Sequence, residues 1–418
     1  MRESEARRTV EAVWRMESGR VVAGLAGLVR DVGLAEELAQ DALVAALEQW
    51  PRDGVPDNPG AWLMTVGKRR AVDLLRRRQT QQRTLAELGR DLDEQHIPDF
   101  DAALEDRIED DLLRLIFVAC HPVLSPIARA ALTLRLVGGL TTGEIARAFL
   151  TTEPTVGQRI TRAKQTLAAA NVPFEVPGPA ERAERLDSVL EVVYLIFNEG
   201  YSATAGDDWM RPGLVEDALR LARLLQGLMP GEPEVHGLAA LLEIQASRIR
   251  ARTGPDGEPI LLNDQDRGRW DQWLIRRGLA ALDRARTDHP GPYAVQAEIA
   301  ACHARARTPE ETDWARIATL YAELARLVPS PVVELNRAVA VAQADGPAAG
   351  LDLARKLAAE PALAGYHLLP SVLGDLLAKL GRHDEARAEF ERAAALTGNA
   401  RERALLLSRA AQGGPKKS

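Results

Sequence analysis

The sequence predicts an all-α protein, and three observations predict it. Ala, Leu, Arg and Glu are abundant and runs of β-branched residues are scarce, a composition that favours helix over strand. Apolar residues recur at helical spacing, as in the stretch AWLMTVGKRRAVDLLRRR at 61–78, where Leu63, Val66, Leu74 and Leu75 share one face. Loops rich in Pro and Gly separate such stretches at intervals a helix would fill. At 418 residues the chain is long enough for two or three domains, each able to bury a core.

Residues 6–30 and 34–50 read as two amphipathic helices broken at Gly33. Val10, Val13, Val21, Val22, Leu25 and Leu28 line the first. The second, LAEELAQDALVAALEQW, should turn Leu38, Leu43, Ala46 and Leu47 inward and keep Glu37, Gln40, Asp41 and Glu48 wet. The loop PRDGVPDNPG at 51–60 follows, and Asn58 with Pro59 supplies an N-cap and a first helical residue for the next helix.

That third helix is strongly basic. From Gly67 to Arg83 seven cations face one acid, Asp73, for a local charge of +6 in a chain of net charge −7. Such an excess suits a polyanion, whose phosphates attract it without reading sequence. Trp50 and Trp62 flank the loop, and an aromatic beside a basic face can stack on an unpaired base for about 1–3 kcal/mol.

From Glu87 to Asp111 the charge inverts to −9, and with Pro98 inside it this run reads as a flexible linker. Residues 112–170 then carry a helix through Ala128, Leu132, Leu134 and Leu136, the pair Gly138-Gly139, and a helix capped at Thr141 or Thr142. Glu144 completes a capping box with Thr141. The turn LTTEP at 150–154 leads to a last helix from Thr155, which is helix-turn-helix spacing. Recognition helices lead with their first turns, so Thr155, Gln158, Arg159 and Arg162 are the candidates for base edges and phosphates, with Val156 and Ile160 packed behind.

The order LAEELAQDALVAALEQW, polar loop, PGAWLMTVGKRRAVDLLRRR and downstream helix-turn-helix resembles the extracytoplasmic-function class of bacterial RNA polymerase sigma factors. That family's region 2 has a core-binding helix of the form A-E-D-L-V-Q-E and a promoter helix of the form A-W-L-x-x-I-A-x-N-x-x-x-D-x-L-R-R. Trp62, Asp73 and Leu75 match, whereas Arg69 stands where the family often has Asn. In region 4 the family commonly has Gly-Thr-Val-Lys-Ser-Arg, and this chain has Pro154-Thr155-Val156-Gly157-Gln158-Arg159.

The resemblance implies that Glu37, Gln40 and Asp41 meet core RNA polymerase, its β and β′ subunits. It implies that Asn58, Trp62, Lys68, Arg69, Arg70, Asp73, Arg76 and Arg77 meet the −10 element of promoter DNA, and that Thr155, Gln158, Arg159 and Arg162 meet the −35 element. The acidic linker would then be either a tether or a mimic of the nucleic acid that polymerase channels accommodate.

The second half has no comparable basic cluster. Its most distinctive piece, YLIFNEGY at 194–201, reads as a buried helix ended by a turn at Asn198-Glu199-Gly200-Tyr201, with Gly200 a C-cap. Glu199, Tyr201, Asp208 and Trp209 offer a ligand pocket as the competing reading. Pro259 to Leu262 is the one plausible extended piece, with Asp264 capping the helix after it. Leu373, Gly374, Ala386, Phe390 and Ala393 reproduce tetratricopeptide spacing, with Gly398 where the closing proline would stand. Residues 332–361 are a weaker copy, and stacking neighbours from about 290 would form a short solenoid.

The expected division is 1–83 for region 2, 84–111 for the acidic linker, 112–172 for region 4, 180–288 for a helical extension and 289–418 for tetratricopeptide-like repeats. With that tail, the chain resembles subgroup forty-two of these sigma factors, whose fused extension governs activity in place of a separate membrane anti-sigma partner. The extension could contact and occlude the sigma domains, or hold them at promoter spacing.

Cys120 and Cys302, each followed by a histidine, lack a recognised metal-ligand spacing, and neither a metal nor a cofactor is expected. A charged N-terminus and the lack of an apolar run of about 18 residues predict a cytoplasmic protein without a membrane partner. The expected role is a promoter-specificity subunit and not an enzyme. The competing class is a tetratricopeptide-like interaction scaffold whose DNA-binding half no longer serves as a sigma factor.

Overall fold

A computed structural model describes residues 3–86, 104–149, 151–203, 205–206, 209–255 and 257–412. Most of the acidic run, residues 87–103, lies outside them, as do Leu150, Asp208 and the side chains of Arg78 and Arg83. Packing divides the chain into two units, Met1–Val193 and Tyr194–Ser418. That division falls within the helix Pro179–Tyr201.

The first unit opens with α1 (Glu3–Val29), α2 (Val32–Asp53) and α3 (Pro59–Ala86), which pack on one another. Val10, Val13, Val21, Val22 and Leu25 of α1 are buried as their spacing requires. Asp31 caps α2, its Oδ1 accepting from Leu34 N at 2.9 Å. Asn58 caps α3 in the same way, its Oδ1 accepting from Ala61 N at 3.1 Å. Gly67 lets α3 lie close on α1, since a Cβ there would stand 2.8 Å from Leu25 Cδ1.

Two inward assignments fail. Leu47 is 38% exposed, beside Val44 at 50%, and Leu75 is 37% exposed. Leu38 and Ala46 are buried as expected, on a face completed by Ala35, Ala39, Ala42, Ala45 and Trp50. Five alanines there bring the helices together, while Val44 and Leu47 stay outside.

The helix-turn-helix follows as α4 (Leu104–Ala119), α5 (Pro126–Leu136), α6 (Thr142–Ala148) and α7 (Glu153–Ala169). The capping box is realised at Thr141: its Oγ1 accepts from Glu144 N at 3.1 Å and its N–H donates to Glu144 Oε2 at 2.8 Å. α7 begins earlier than the expected Thr155, because Thr152 is its N-cap and accepts from Thr155 N at 3.4 Å. Val156 and Ile160 are buried behind it.

α8 (Pro179–Tyr201) then lays its first half on this module. Leu186, Val189 and Leu190 are buried, Ser188 Oγ donates to the Cys120 carbonyl at 2.5 Å, and Arg185 donates to the Phe117 carbonyl at 2.8 Å. Buried Arg129 joins Ser188 and pairs with Glu191 at 3.0 Å.

The second unit takes the end of α8, β1 (Ala205–Gly206), α9 (Pro212–Leu228), α10 (Pro233–Ala246), α11 (Gln272–Arg284), α12 (Pro292–Arg305), α13 (Trp314–Leu327), α14 (Pro331–Asp345), α15 (Pro347–Lys356), α16 (Leu368–Lys379), α17 (His383–Leu396), β2 (Gly398–Asn399) and α18 (Ala400–Gln412). Most of these helices pack chiefly on those next to them in sequence, as in a helical repeat, although α12 packs on α10 more than on α11. Leu373, Ala386, Phe390 and Ala393 are buried between α16 and α17, and Gly374 is required there because a Cβ would lie 2.9 Å from the Phe390 ring.

Several local expectations for this unit change. Asn198 to Tyr201 continue α8, so Gly200 is not a cap; it admits α9, whose Val215 N would lie 2.7 Å from a Cβ at that position. The 259–262 stretch contributes a single bridge, Thr253 to Pro259, before a 3-10 turn at Leu262–Asp264. α11 is capped by Asp271, which accepts from both Trp273 N and Leu274 N, and not by Asp264. Gly398, at the expected proline position, enters a parallel ladder with Ala205 that ties the end of this unit to its beginning.

Candidate nucleic-acid interface

One face of α3 gathers the basic residues around a depression. Ala61, Met64, Thr65, Lys68, Arg69, Val72, Asp73 and Arg76 line a cleft of about 520 Å³. These positions form two rows of four-residue steps, 61/65/69/73 and 64/68/72/76, which lie side by side on a single helix face. Lys68, Arg69, Asp73 and Arg76 were expected from the basic run and the family resemblance together. Met64, Thr65 and Val72 were not, although helical periodicity projected from Lys68 finds them.

The cleft has an apolar floor, with Met64 5% exposed, and a cationic rim interrupted by one carboxylate. Arginine and lysine suit phosphates, and Asp73 can accept from an exocyclic base amine. Asn58, Trp62, Arg70 and Arg77 lie outside this lining. Arg77 is exposed, and Asn58 has its side chain engaged in the cap.

The two tryptophans behave differently from a matched stacking pair. Trp50 is 2% exposed and meets Trp62 edge-on at 5.5 Å between ring centroids. Trp50 is thus core, and half-buried Trp62 is the aromatic that a base could reach.

On α2, Glu37 and Asp41 are exposed and Gln40 is half-buried. Asp41 pairs with Arg70 of α3 at 2.9 Å. The neighbouring Glu36, absent from the sequence-derived set, is buried against Arg135 Nε of α5 at 2.6 Å and Lys164 Nζ of α7. Burial raises its pKa, but Lys164 and Arg135 together outweigh that and hold the carboxyl below its usual range.

On α7, Thr155, Gln158 and Arg162 are exposed, and half-buried Arg159 flanks the stripe that Val156 and Ile160 bury. Thr155 Oγ1 shares a hydrogen bond with Thr152 Oγ1 at 2.8 Å. A Cβ at Gly157 would meet nothing within 4 Å, so packing inside the protein does not demand glycine there.

Comparison with known proteins places these features. Residues 14–81 match the family described as Sigma-70 region 2, and residues 114–167 match Sigma-70, region 4. A relative named ECF RNA polymerase sigma factor SigK, from Mycobacterium ulcerans (strain Agy99), is 30% identical over 148 residues, 34% of this chain and 74% of the relative. The chain belongs to the ECF sigma factor family.

Sigma factors of this family bind core RNA polymerase and promoter DNA, and they are initiation factors, not enzymes. Residues 185–286 of this sigma factor match a family of unknown function, DUF6596. An uncharacterized protein of Rhizobium meliloti (strain 1021) is 48% identical over 385 residues, covering 90% of this chain and 89% of the relative. The crystal structure of yeast Tom70 aligns over 93% of this chain and 83% of its own with 12% identity and a TM-score of 0.31, a likeness too slight to carry an argument.

Within the second unit a different polar cluster stands out. Arg252 lies 3.6 Å over the Tyr201 ring, Arg248 donates to Tyr201 Oη at 2.6 Å, and Arg267 caps the His303 and Ala306 carbonyls at 2.8 Å each. Burial pushes His303 down to about 3, with Arg248 and Arg267 adding to the effect. Of the competing ligand-pocket residues, Glu199 pairs with Arg211, Tyr201 lies under Arg252, and Asp208 is outside the described residues. These contacts knit α8 to the repeat helices.

Proposed function

We propose that this sigma factor docks on core polymerase through Glu37, Gln40 and Asp41. In this reading it holds the −10 element with Asn58, Trp62, Lys68, Arg69, Arg70, Asp73, Arg76 and Arg77, and reads the −35 element with Thr155, Gln158, Arg159 and Arg162. The observation that carries the reading is the α3 cleft, where cations, an apolar floor and Asp73 share one helix face. A strand taken out of the duplex needs that combination: phosphate neutralisation, a surface for an unstacked base and a group that discriminates base edges. Arg69 replaces the commoner Asn, so the base preference at that point differs from the family pattern.

The fused second unit governs activity, as it does in subgroup forty-two, and the protein works in the cytoplasm where the polymerase is. Support for an intrinsic regulator comes from its extent, since Tyr194–Ser418 is the larger of the two units. Its helices stack as a repeat, an architecture suited to recognising a protein surface. Among the described residues no helix is long and apolar enough to cross a membrane.

The test is reconstituted transcription with core polymerase and a mapped start site. Arg159→Glu with Arg162→Glu should abolish promoter-specific initiation while leaving core binding in place. Unchanged initiation would favour the scaffold reading instead.

A further inference from the structure

Among the described residues, Trp273 is the tryptophan of the second unit that stands furthest into solvent. It is 52% exposed in the first turn of α11, while Trp270 just before that helix is buried. The exposed indole is not loose. The Arg277 guanidinium lies 4.7 Å from its ring centroid, and that of Arg223, from α9, lies at 5.6 Å.

Both arginines are held from behind by Glu243 of α10, a carboxylate with 3% of its side chain exposed. Its Oε1 accepts from Arg223 Nε at 2.9 Å, and its two oxygens each accept from Arg277 Nε at 3.1 Å. A carboxylate this deeply buried needs such cations beside it. Each arginine is therefore fixed through Nε, and its terminal amino groups have no acceptor among the described residues. Those groups form the fork that grips an oxyanion. Because the fork is set in advance, little side-chain freedom is left to lose on binding.

The cationic surface continues at the start of α11. A cleft of about 580 Å³ bordered by Asp271 and Gln272 carries Arg250 and Arg269, both exposed. The carboxylates there are engaged: Asp271 caps α11, and Asp266 accepts from Gly268 N at 2.9 Å.

We propose that Trp273, Arg223 and Arg277 form a docking site for an acidic segment of a partner protein, which sets a carboxylate on the two guanidiniums and an adjacent apolar side chain on the indole. The inference deepens the reading of the second unit as a regulator that recognises a protein, and rests on it for the class of partner. Tryptophan and arginine are the residues that most often dominate protein interfaces, and a guanidinium fork matches a carboxylate in shape as well as charge. A nucleic-acid strand fits less well, because strand-binding surfaces set aromatics in succession and here a single indole is exposed among the described residues.

The test uses the full chain and a fluorescein-labelled peptide in which aspartate alternates with phenylalanine, titrated by anisotropy. The peptide should bind saturably, and its asparagine counterpart should bind about tenfold more weakly. Trp273→Ala, at an exposed position outside the core, should weaken the acidic peptide by about tenfold or more. Arg277→Lys should weaken it too with the fold retained, since its single ammonium keeps a charge beside Glu243 but loses the fork.

No saturable binding, equal affinity for the asparagine peptide, or unchanged affinity in Trp273→Ala would overturn the docking site. Tighter binding of oligothymidylate that Trp273→Ala abolishes would overturn it in favour of a nucleic-acid surface. Excess acidic peptide added to reconstituted transcription should alter the output; binding as expected with the output unchanged would remove the regulatory reading and leave the site standing.

Discussion

Asp41 of α2 and Arg70 of α3 are joined by an ion pair of 2.9 Å, so the residue proposed to meet polymerase touches one proposed to meet the −10 element. Both partners are well exposed, at 58% and 41% of their side-chain surface, and such a pair contributes under about 1 kcal/mol. Asp41→Asn should therefore move the Tm by no more than about 4 °C. The same change should weaken core association measurably. Calorimetry beside a core-binding titration separates the two, and a large loss of Tm with core affinity intact would make Asp41 a structural residue.

Arg69 and Arg76 line the cleft beside Asp73, where they would neutralise phosphates of a melted strand. Each of Arg69→Ala and Arg76→Ala should reduce the log-log salt slope of promoter binding by about 0.7, the single-strand value per phosphate. Fluorescence anisotropy of the polymerase complex across a salt series measures it. A slope that stays at its parent value in both variants would move the phosphate contacts elsewhere.

His303 is buried, stacks edge-on against Trp314 at 5.1 Å, and has its pKa pushed down to about 3 by burial and by Arg248 and Arg267. Its unfolded pKa is the ordinary 6.5, so the unfolded chain binds the proton first and stability drains away as pH falls from about 6.5 towards 3. Above pH 6.5 the group has no effect on the slope. His303→Gln should flatten that acid limb in a denaturant titration read at several pH values. A limb of unchanged steepness would show that other groups set it.

Two glycines inside helices should respond in opposite directions. Gly157 of α7 has open space around it, so Gly157→Ala should stabilise the helix by up to about 1 kcal/mol. At Gly200 of α8 an added Cβ meets the Val215 backbone at 2.7 Å, and Gly200→Ala should cost about 1–3 kcal/mol by overpacking. Thermal unfolding of the two variants reads the contrast directly, and the same sign at both would be inconsistent with this packing.

Local chemistry made much of the architecture legible. The caps at Asn58 and Thr141 depend on residues three apart, and the burial of Val156 and Ile160 depends on helical period alone. Non-local contacts stayed out of reach. Glu36 meets Arg135 and Lys164 across about a hundred residues of chain, and the Ala205–Gly398 ladder joins segments farther apart still. Gly200 misled because a glycine that ends a helix and one that admits a neighbouring helix look alike in sequence. Leu47 and Leu75 misled for a different reason: hydrophobic spacing marks a face that needs cover without saying whether this chain supplies it.

Carried by core polymerase, this chain is expected to present two DNA-reading surfaces to a single promoter. Footprinting of the polymerase complex on a promoter with a mapped start tests it most directly. Two protected patches about 25 base pairs apart should appear, with the upstream patch lost in Arg159→Glu/Arg162→Glu and the downstream patch weakened in Arg69→Ala. A footprint that is identical with and without this protein, or the loss of both patches with either variant, would contradict the account.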